Sequence, residues 1–203
     1  MKSLSEIETT VKRASRAAGF SWGISEEVSK SIRLLELFNL PGIKNINQYY
    51  EDKKNKKFEG LNLIGKKNHS SSNPFCPIIL GVSFLDQIQT IESLNKINFT
   101  NVAYPVIFLS FLSRASEVIG KKINMKFDNN EILLNLNVNI YSNLFYQEFS
   151  TITDSVDVEF IENKDNFSES DWQNLYKLSE NTFVEESDSL KQGAAGAGLT
   201  DND

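Results

Sequence analysis

The stretch 102-VAYPVIFLSFL-112 is the most apolar run of the chain, and the rest of the protein must fold around it. Eleven residues are too few to cross a bilayer, which needs about 20 apolar residues, so other segments must cover this run. Proline fits the first turn of a helix and favours an extended conformation in the residue before it. Pro105 therefore predicts a short strand from Val102 to Tyr104, followed by a helix that ends at Gly120.

Composition and charge exclude several classes of protein. With 203 residues, 40% of them hydrophobic, the chain can bury a substantial core, and we expect one domain, 1–203. The net charge of -6 argues against nucleic acid as a partner, because nonspecific binding to phosphate backbones requires clustered positive charge. The beginning of the sequence carries no apolar signal segment, so we expect a cytoplasmic protein that does not bind membranes.

The single cysteine and the single histidine limit the chemistry further. Disulfide frameworks and zinc sites built from several Cys or His ligands are excluded. A catalytic pair of Cys76 and His69 stays open, but a cysteine between Phe75 and Pro77, ahead of an apolar run, is typical of a small buried side chain. His69 falls in the Lys- and Asn-rich stretch 53–73, for which we expect an exposed, mobile connection.

Residues 3–40 predict a helical hairpin at the N-terminus. Ser3 and Glu6 have the spacing of a capping box for the first helix, and Gly19 is expected to end it. Ser25 is expected to cap the second helix, since acidic residues follow it as the helix dipole prefers.

Other features of the hairpin bear on function. We expect Trp22, in the link, to fill a pocket between the helices, and Pro41-Gly42 to stop the second helix. The cations of the two helices leave two interpretations open, a solvated face supported by charge pairs or an anion-binding face. These cations are Lys12, Arg13, Arg16, Lys30 and Arg33.

A sheet is expected after Gly120, where apolar residues recur with a period of two. Asp128 to Asn130 supply a turn between two strands, and the alternation after this turn continues through 132–140. Residues 156–160 predict a further strand of the same sheet.

The chain is expected to close with a helix and a tail. Ser168 and Asp171 have the spacing of a helix cap, and the apolar pattern of this helix runs to about Asn181. The fold class is therefore α+β, with an N-terminal helical hairpin, a strand and helix core, an antiparallel sheet of three or more strands, a closing helix and a Gly-rich C-terminal tail at 190–203.

Four landmarks together resemble one family of bacterial proteins that is classed as a domain of unknown function. They are 17-AAGFSWG-23 with Glu26 and Glu27 after it, 40-LPG-42, Cys76-Pro77, and the closing 196-GAGLTDND-203. The family's segment before the tail tends to carry a proline and an arginine, where this chain has Lys191, which keeps the charge but loses bidentate geometry. The resemblance implies no activity, cofactor or substrate.

Glycines in the tail would allow backbone amides to approach an anionic group closely. The tail matches neither a Walker loop nor a dinucleotide fingerprint, so nucleotide binding is disfavoured. Asp201 and Asp203 could hold a hard cation such as magnesium, but acidic tails are usually solvated, and we predict no metal site. No cofactor can be assigned.

Two hypotheses for the function remain. The favoured one is an accessory or binding subunit in small-molecule metabolism whose tail docks into a partner protein or a neighbouring copy. The alternative is an enzyme that binds a small anionic metabolite where the tail and the N-terminal hairpin meet. The candidate ligand- or partner-binding residues are Arg16, Trp22, Glu26, Lys191, Gly193, Gly196, Gly198, Thr200, Asp201 and Asp203.

Overall fold

The computed structural model of the protein describes residues 2–142 and 149–183. The chain divides into two compact units, Met1–Asn163 and Lys164–Asp203. The single domain expected from the sequence stays a prediction. No helix in the described ranges combines the length and the apolar character that crossing a membrane requires.

The described part of the first unit contains five α-helices and six strands. The helices are α1 (Leu4–Ala17), α2 (Trp22–Leu37), α3 (Gly42–Lys53), α4 (Pro77–Ile91) and α5 (Pro105–Ile119). The strands are β1 (Lys67–His69), β2 (Lys96–Ala103), β3 (Lys122–Phe127), β4 (Asn130–Asn135), β5 (Asn139–Ser142) and β6 (Ile152–Ile161).

The six strands form one sheet in the order β1-β2-β6-β3-β4-β5. Strands β1 and β2 are parallel, and the other neighbouring pairs are antiparallel. Residues that face the core alternate with solvated ones, as in Ile123, Met125 and Phe127 of β3. The expected α+β fold, with its N-terminal helices and antiparallel strands, is confirmed.

Helix α5 is the centre of the fold. It packs beside α4, between the sheet and helices α2 and α3, and its residues 105–113 are all buried. The helix starts at Pro105 and ends at Gly120, which has a left-handed conformation with φ 65°, as the sequence predicts. The apolar run therefore forms the core element expected of it.

The strand before α5 is longer than predicted. Strand β2 begins at Lys96, because Ile97 and Phe99 face the core while the polar residues between them face outward. The expectation of a strand from Val102 to Tyr104 is also wrong at its end. Tyr104 leaves the sheet with φ 45° and ψ 61°, a left-handed conformation that is rare for a bulky residue.

Helices α4 and α5 approach each other closely at Gly81. A Cβ atom built on Gly81 would lie 2.3 Å from the ring of Phe111. Only glycine fits at this position unless the aromatic ring moves. The contact fixes the spacing of the two helices.

The predicted continuous strand through 132–140 is wrong. Strand β4 ends at Asn135, and Leu136 and Asn137 turn the chain with φ values of 53° and 61° before β5 begins. Helix α5 holds this turn, because Ser116 Oγ accepts a hydrogen bond from the Leu136 amide at 2.9 Å. The apolar alternation continues through the turn, so it could not reveal the break.

The second unit contains α6 (Glu169–Ser179) among its described residues. The predicted cap is confirmed, because Ser168 and Asp171 form a capping box. Phe167 packs against Trp172 with their ring centroids 5.9 Å apart. None of the side chains of α6 is buried.

Candidate functional site

Helices α1 and α2 form the predicted hairpin. The capping box is confirmed, because the Glu6 amide donates to Ser3 Oγ at 3.1 Å and the Ser3 amide donates to Glu6 Oε2 at 2.8 Å. Gly19, with φ 98°, follows the end of α1 as expected. The hairpin therefore arises from local sequence signals.

The second helix starts earlier than predicted, which changes the role of Trp22. Ser21, not Ser25, is the cap, because its hydroxyl accepts a hydrogen bond from the Ile24 amide at 3.3 Å. Trp22 is thus the first residue of α2, and 58% of it is exposed. The expectation that it fills a pocket between the helices is wrong, and Val28 and Ile32 are among the residues that α2 buries instead.

A groove of about 700 Å³ runs along α1 and α2, and we call it the hairpin groove. It exposes an aromatic ring next to several cations. Its lining includes Glu8, Thr9, Lys12, Arg13, Trp22 and Arg33.

Most cations at the hairpin groove have a carboxylate partner. Lys12 Nζ and Lys30 Nζ lie 2.9 Å and 3.1 Å from the two carboxylate oxygens of Glu26, and Arg33 Nε lies 3.4 Å from Glu8 Oε2. Hydrogen bonds from Lys12 and Lys30 lower the pKa of Glu26 to about 2. The pairs of Lys12 and Arg33 connect the two helices, whereas that of Lys30 lies within α2, so the charged face is partly structural.

Arg13 differs from its neighbours, because it has no ion pair or hydrogen bond within the described ranges. Arg16 is held locally, with Nη1 donating to the carbonyl of Phe20 at 3.1 Å and its guanidinium lying 5.7 Å from the centroid of the Trp22 ring. Two of the candidate binding residues, Arg16 and Trp22, therefore lie in contact on the same surface. Glu26 lies apart from that contact and binds the lysines.

Helix α3 was not predicted from the sequence. Besides the hairpin groove, it provides a second set of polar contacts. Pro41 and Gly42, expected to stop α2, instead open α3. The carboxylate of Glu36 accepts a hydrogen bond from the Ile43 amide at 2.7 Å. It thus satisfies one of the amides at the start of the helix that have no partner within the helix. Tyr49 and Ile46 are the apolar anchors of α3 in the core.

The end of α3 is tied to the corner between β2 and α5. The hydroxyl of Tyr104 donates to Asp52 Oδ2 at 2.7 Å, and Lys56 Nζ lies 2.9 Å from the same oxygen. The bonds from Lys56 and Tyr104 lower the pKa of Asp52, while burial raises the pKa of Tyr104. Strained residues such as this tyrosine persist where the surroundings fix them, often at functional sites.

Cys76 has a structural environment. Its Sγ lies 3.0 Å from the hydroxyl of Tyr49 and accepts a hydrogen bond from the Ile79 amide, so it caps α4. Burial raises the pKa of the Cys76 thiol, which is therefore neutral at pH 7 and a weak nucleophile. His69 instead contacts Thr100, with Nδ1 3.3 Å from Oγ1. The structure does not support a catalytic pair of these two residues.

The stretch expected to be a mobile connection contains strand β1 and a tightly bonded loop. Glu59 accepts hydrogen bonds from three successive backbone amides, those of Ser71, Ser72 and Asn73, each at 2.8 Å. These amide bonds lower the pKa of Glu59 to about 2. The loop is thus held by an internal carboxylate.

A second cavity, of about 370 Å³, lies between the end of α3 and the start of α4, and we call it the lysine pocket. This pocket was not predicted from the sequence, although the pair Tyr49-Tyr50 just before a Lys-rich run was a visible signal. Its lining includes Tyr49, Lys53, Lys56, Lys57, Phe58 and Cys76.

The candidate residues of the tail lie outside the described residues, and so do any contacts that they make. They are Lys191, Gly193, Gly196, Gly198, Thr200, Asp201 and Asp203. Within residues 2–142 and 149–183, no group of three or more His, Cys, Asp or Glu side chains could hold a metal ion.

Comparison with known proteins bears on the N-terminal part of the chain. No curated protein and no solved structure matches the sequence. A family model does match, over a range that contains α1, α2, α3 and β1 and therefore most of the hairpin groove and the lysine pocket. The expected resemblance to a family of unknown function is confirmed: residues 2–76 match the family described as "Protein of unknown function (DUF3726)".

Proposed function

We propose that this protein is a cytoplasmic accessory or binding subunit in small-molecule metabolism whose C-terminal tail docks into the hairpin groove of a neighbouring copy. The observation that carries the proposal is the exposed ring of Trp22 in contact with Arg16, in a groove that also contains the unpaired Arg13. Tryptophan and arginine are the residue types that contribute most binding energy at protein interfaces.

Charge complementarity supports the tail as the occupant. Among the described residues, Lys12, Arg13, Arg33 and Glu8 line the hairpin groove. Since Lys12 pairs with Glu26 and Arg33 with Glu8, the positive charge of Arg13 remains unpaired. The tail, 190–203, carries two aspartates against one lysine, and the three acidic residues just before it raise the excess over 184–203 to four negative charges. An acidic segment with small residues and Leu199 suits a groove that combines cations with an aromatic ring.

Ion pairs prepare the groove for binding. The pairs Lys12–Glu26 and Arg33–Glu8 each join α1 to α2, so the groove keeps its shape without an occupant. A preformed surface loses less conformational freedom when it binds a partner.

Oligomeric state across a concentration series, measured by sedimentation on the full chain, tests the proposal. We expect the wild-type chain to self-associate and Arg13→Glu to weaken this association by at least about tenfold, since charge reversal replaces attraction with repulsion. A synthetic peptide of residues 184–203 should inhibit the association. Lys54→Glu is the matched control, because Lys54 is exposed and does not line the groove. Equal behaviour of the two variants, or a chain that stays monomeric, contradicts tail docking.

The alternative is an enzyme with a site for an anionic metabolite formed by the tail and the hairpin. The unpaired Arg13 also favours this idea, because a free guanidinium binds carboxylate and phosphate. The two proposals differ in their outcome, since an anionic substrate would be turned over by single chains, whereas docking requires self-association.

A further inference from the structure

We propose that the lysine pocket binds a small anion with an apolar body, in which a carboxylate or phosphate group contacts lysines at the rim. The pocket has an apolar floor and a cationic rim. The floor consists of Phe20, Tyr49, Phe58 and Ile79, and the rim consists of Lys53, Lys56 and Lys57.

The rim carries positive charge that no lining residue neutralises. Within 2–142 and 149–183, the lining contains three lysines and no aspartate or glutamate. Lys53 Nζ donates to the carbonyl of Ala18 at 3.1 Å, and Lys57 has no ion pair or hydrogen bond among the described residues. Of the three lysines, Lys56 alone has a carboxylate partner among the described residues, Asp52. That carboxylate also accepts a hydrogen bond from the Tyr104 hydroxyl. Three lysines within five positions repel one another, and a bound anion relieves this repulsion.

The floor is suited to an apolar body and not to a reaction. The hydroxyl of Tyr49 and Sγ of Cys76 lie 3.0 Å apart and satisfy each other. The ring of Phe58 packs on that of Tyr49 with a centroid distance of 5.1 Å. A volume of about 370 Å³ is in the range of sites for small ligands, which are typically lined by apolar side chains with a few polar groups.

The strained corner at Tyr104 holds the rim in place. The bond from Tyr104 to Asp52 fixes the last turn of α3, and Lys53 is the next residue after Asp52. Lys53 also lies 5.3 Å above the ring centroid of Phe20. The lysines therefore project from a fixed backbone, which reduces the cost of ordering them around a ligand.

Calorimetric titration of the full chain tests this proposal with defined probes. Naphthalene-2-carboxylate and 2-naphthyl phosphate supply an apolar body with an anionic group, and they distinguish the two headgroups. We expect at least one of them to bind, and 2-naphthylmethanol and inorganic phosphate each to bind at least about tenfold more weakly, because each lacks one half of the recognised structure.

Variants locate the site. We expect Lys57→Met to weaken binding of the aryl anion by about threefold to tenfold, since one charge-assisted contact is lost at an exposed rim. Lys54→Met is the matched control, because Lys54 pairs with Glu51 at 2.7 Å and does not line the pocket. This variant should bind the aryl anion as tightly as the unchanged protein. Ile79→Phe should abolish binding by filling the floor, with folding checked by circular dichroism.

Three results would overturn the proposal. They are binding of the neutral alcohol as tightly as the anions, equal effects of Lys57→Met and Lys54→Met, and no heat from either aryl anion at millimolar concentration. The Arg13→Glu variant separates this proposal from tail docking, because it should weaken self-association and leave binding of the aryl anion unchanged.

Discussion

The hairpin groove and the lysine pocket are both cationic, but their charges are arranged in opposite ways. In the hairpin groove, Lys12 and Arg33 bind carboxylates of the opposite helix, and Arg13 is the one lining cation without a partner in the part of the chain that the structure describes. In the lysine pocket, no carboxylate of the described residues belongs to the lining. Cations of the first kind hold helices together, whereas cations of the second kind raise the local potential.

The difference shows why counting basic residues in the sequence does not identify a binding site. Exposed ion pairs contribute only about 0 to 1 kcal/mol each, so the pairs of the hairpin groove mainly fix geometry. What marks a surface for binding is the charge that remains after internal pairing. In the groove, the remaining charge is that of Arg13, near Trp22. In the pocket, it is the charge of the lysines above the aromatic rings.

Removing the support of the pocket should have the largest effect. Tyr104→Ala deletes a buried ring and the bond to Asp52, and we expect a loss of about 3 to 5 kcal/mol of unfolding free energy in urea titrations. Tyr104→Phe keeps the ring and should cost only about 1 kcal/mol. A loss below about 1 kcal/mol for the alanine variant would show that the corner does not hold α3.

The floor of the pocket should be structural and moderately sensitive. Tyr49→Phe removes the partner of Cys76 Sγ, and Cys76→Ser changes the buried cap of α4, so each should cost about 1 kcal/mol. His69→Gln is the exposed control and should stay within about 0.5 kcal/mol. If Cys76→Ser instead abolished a binding or catalytic activity while folding stayed intact, the thiol would have a functional role.

Replacing the exposed ring of the hairpin groove should hardly change stability. Trp22→Ala should shift the unfolding free energy by no more than about 0.5 kcal/mol, because 58% of the residue is already exposed, and it should weaken self-association. A buried tryptophan would cost several times as much. Thermal unfolding and sedimentation of the same sample separate the two effects.

The smallest effect is expected at the loop held by Glu59. Its folded pKa, about 2, lies below the ordinary value of 4.5, so its bonds stabilise the fold above about pH 4.5 and are lost as the pH falls toward 2. Glu59→Gln should produce a local change at neutral pH, namely faster hydrogen exchange at the amides of Ser71, Ser72 and Asn73. Unchanged exchange at all three amides would show that the loop holds itself.

The sequence predicted those helix starts and ends that are determined by residues close to them in the chain. The start of α5 at Pro105 and its end at Gly120 follow from backbone preferences, as do both capping boxes. Helix α3 was missed although Ile43, Ile46 and Tyr49 recur at helical spacing, because polar residues dominate the rest of the segment.

The candidate sites divide in the same way. The proximity of Arg16 and Trp22 follows from a short helical link, so sequence analysis could propose both residues. The lysine pocket depends on contact between residues such as Asp52 and Tyr104, which lie 52 positions apart. The expected burial of Trp22 was wrong because α2 begins at Trp22, so this residue lies in the first turn of the helix and not in the link.

The close contact of Gly81 with Phe111 links this interior packing to the pocket. Helix α4 begins beside Cys76 and helix α5 begins beside Tyr104, so the contact that sets their spacing also sets the separation of those two side chains. The two positions should therefore covary among relatives: a larger residue at 81 is compatible with the fold only when the residue at 111 is smaller. Such paired exchanges offer a way to shift α4, which contributes Ile79 to the pocket, without replacing a lining residue.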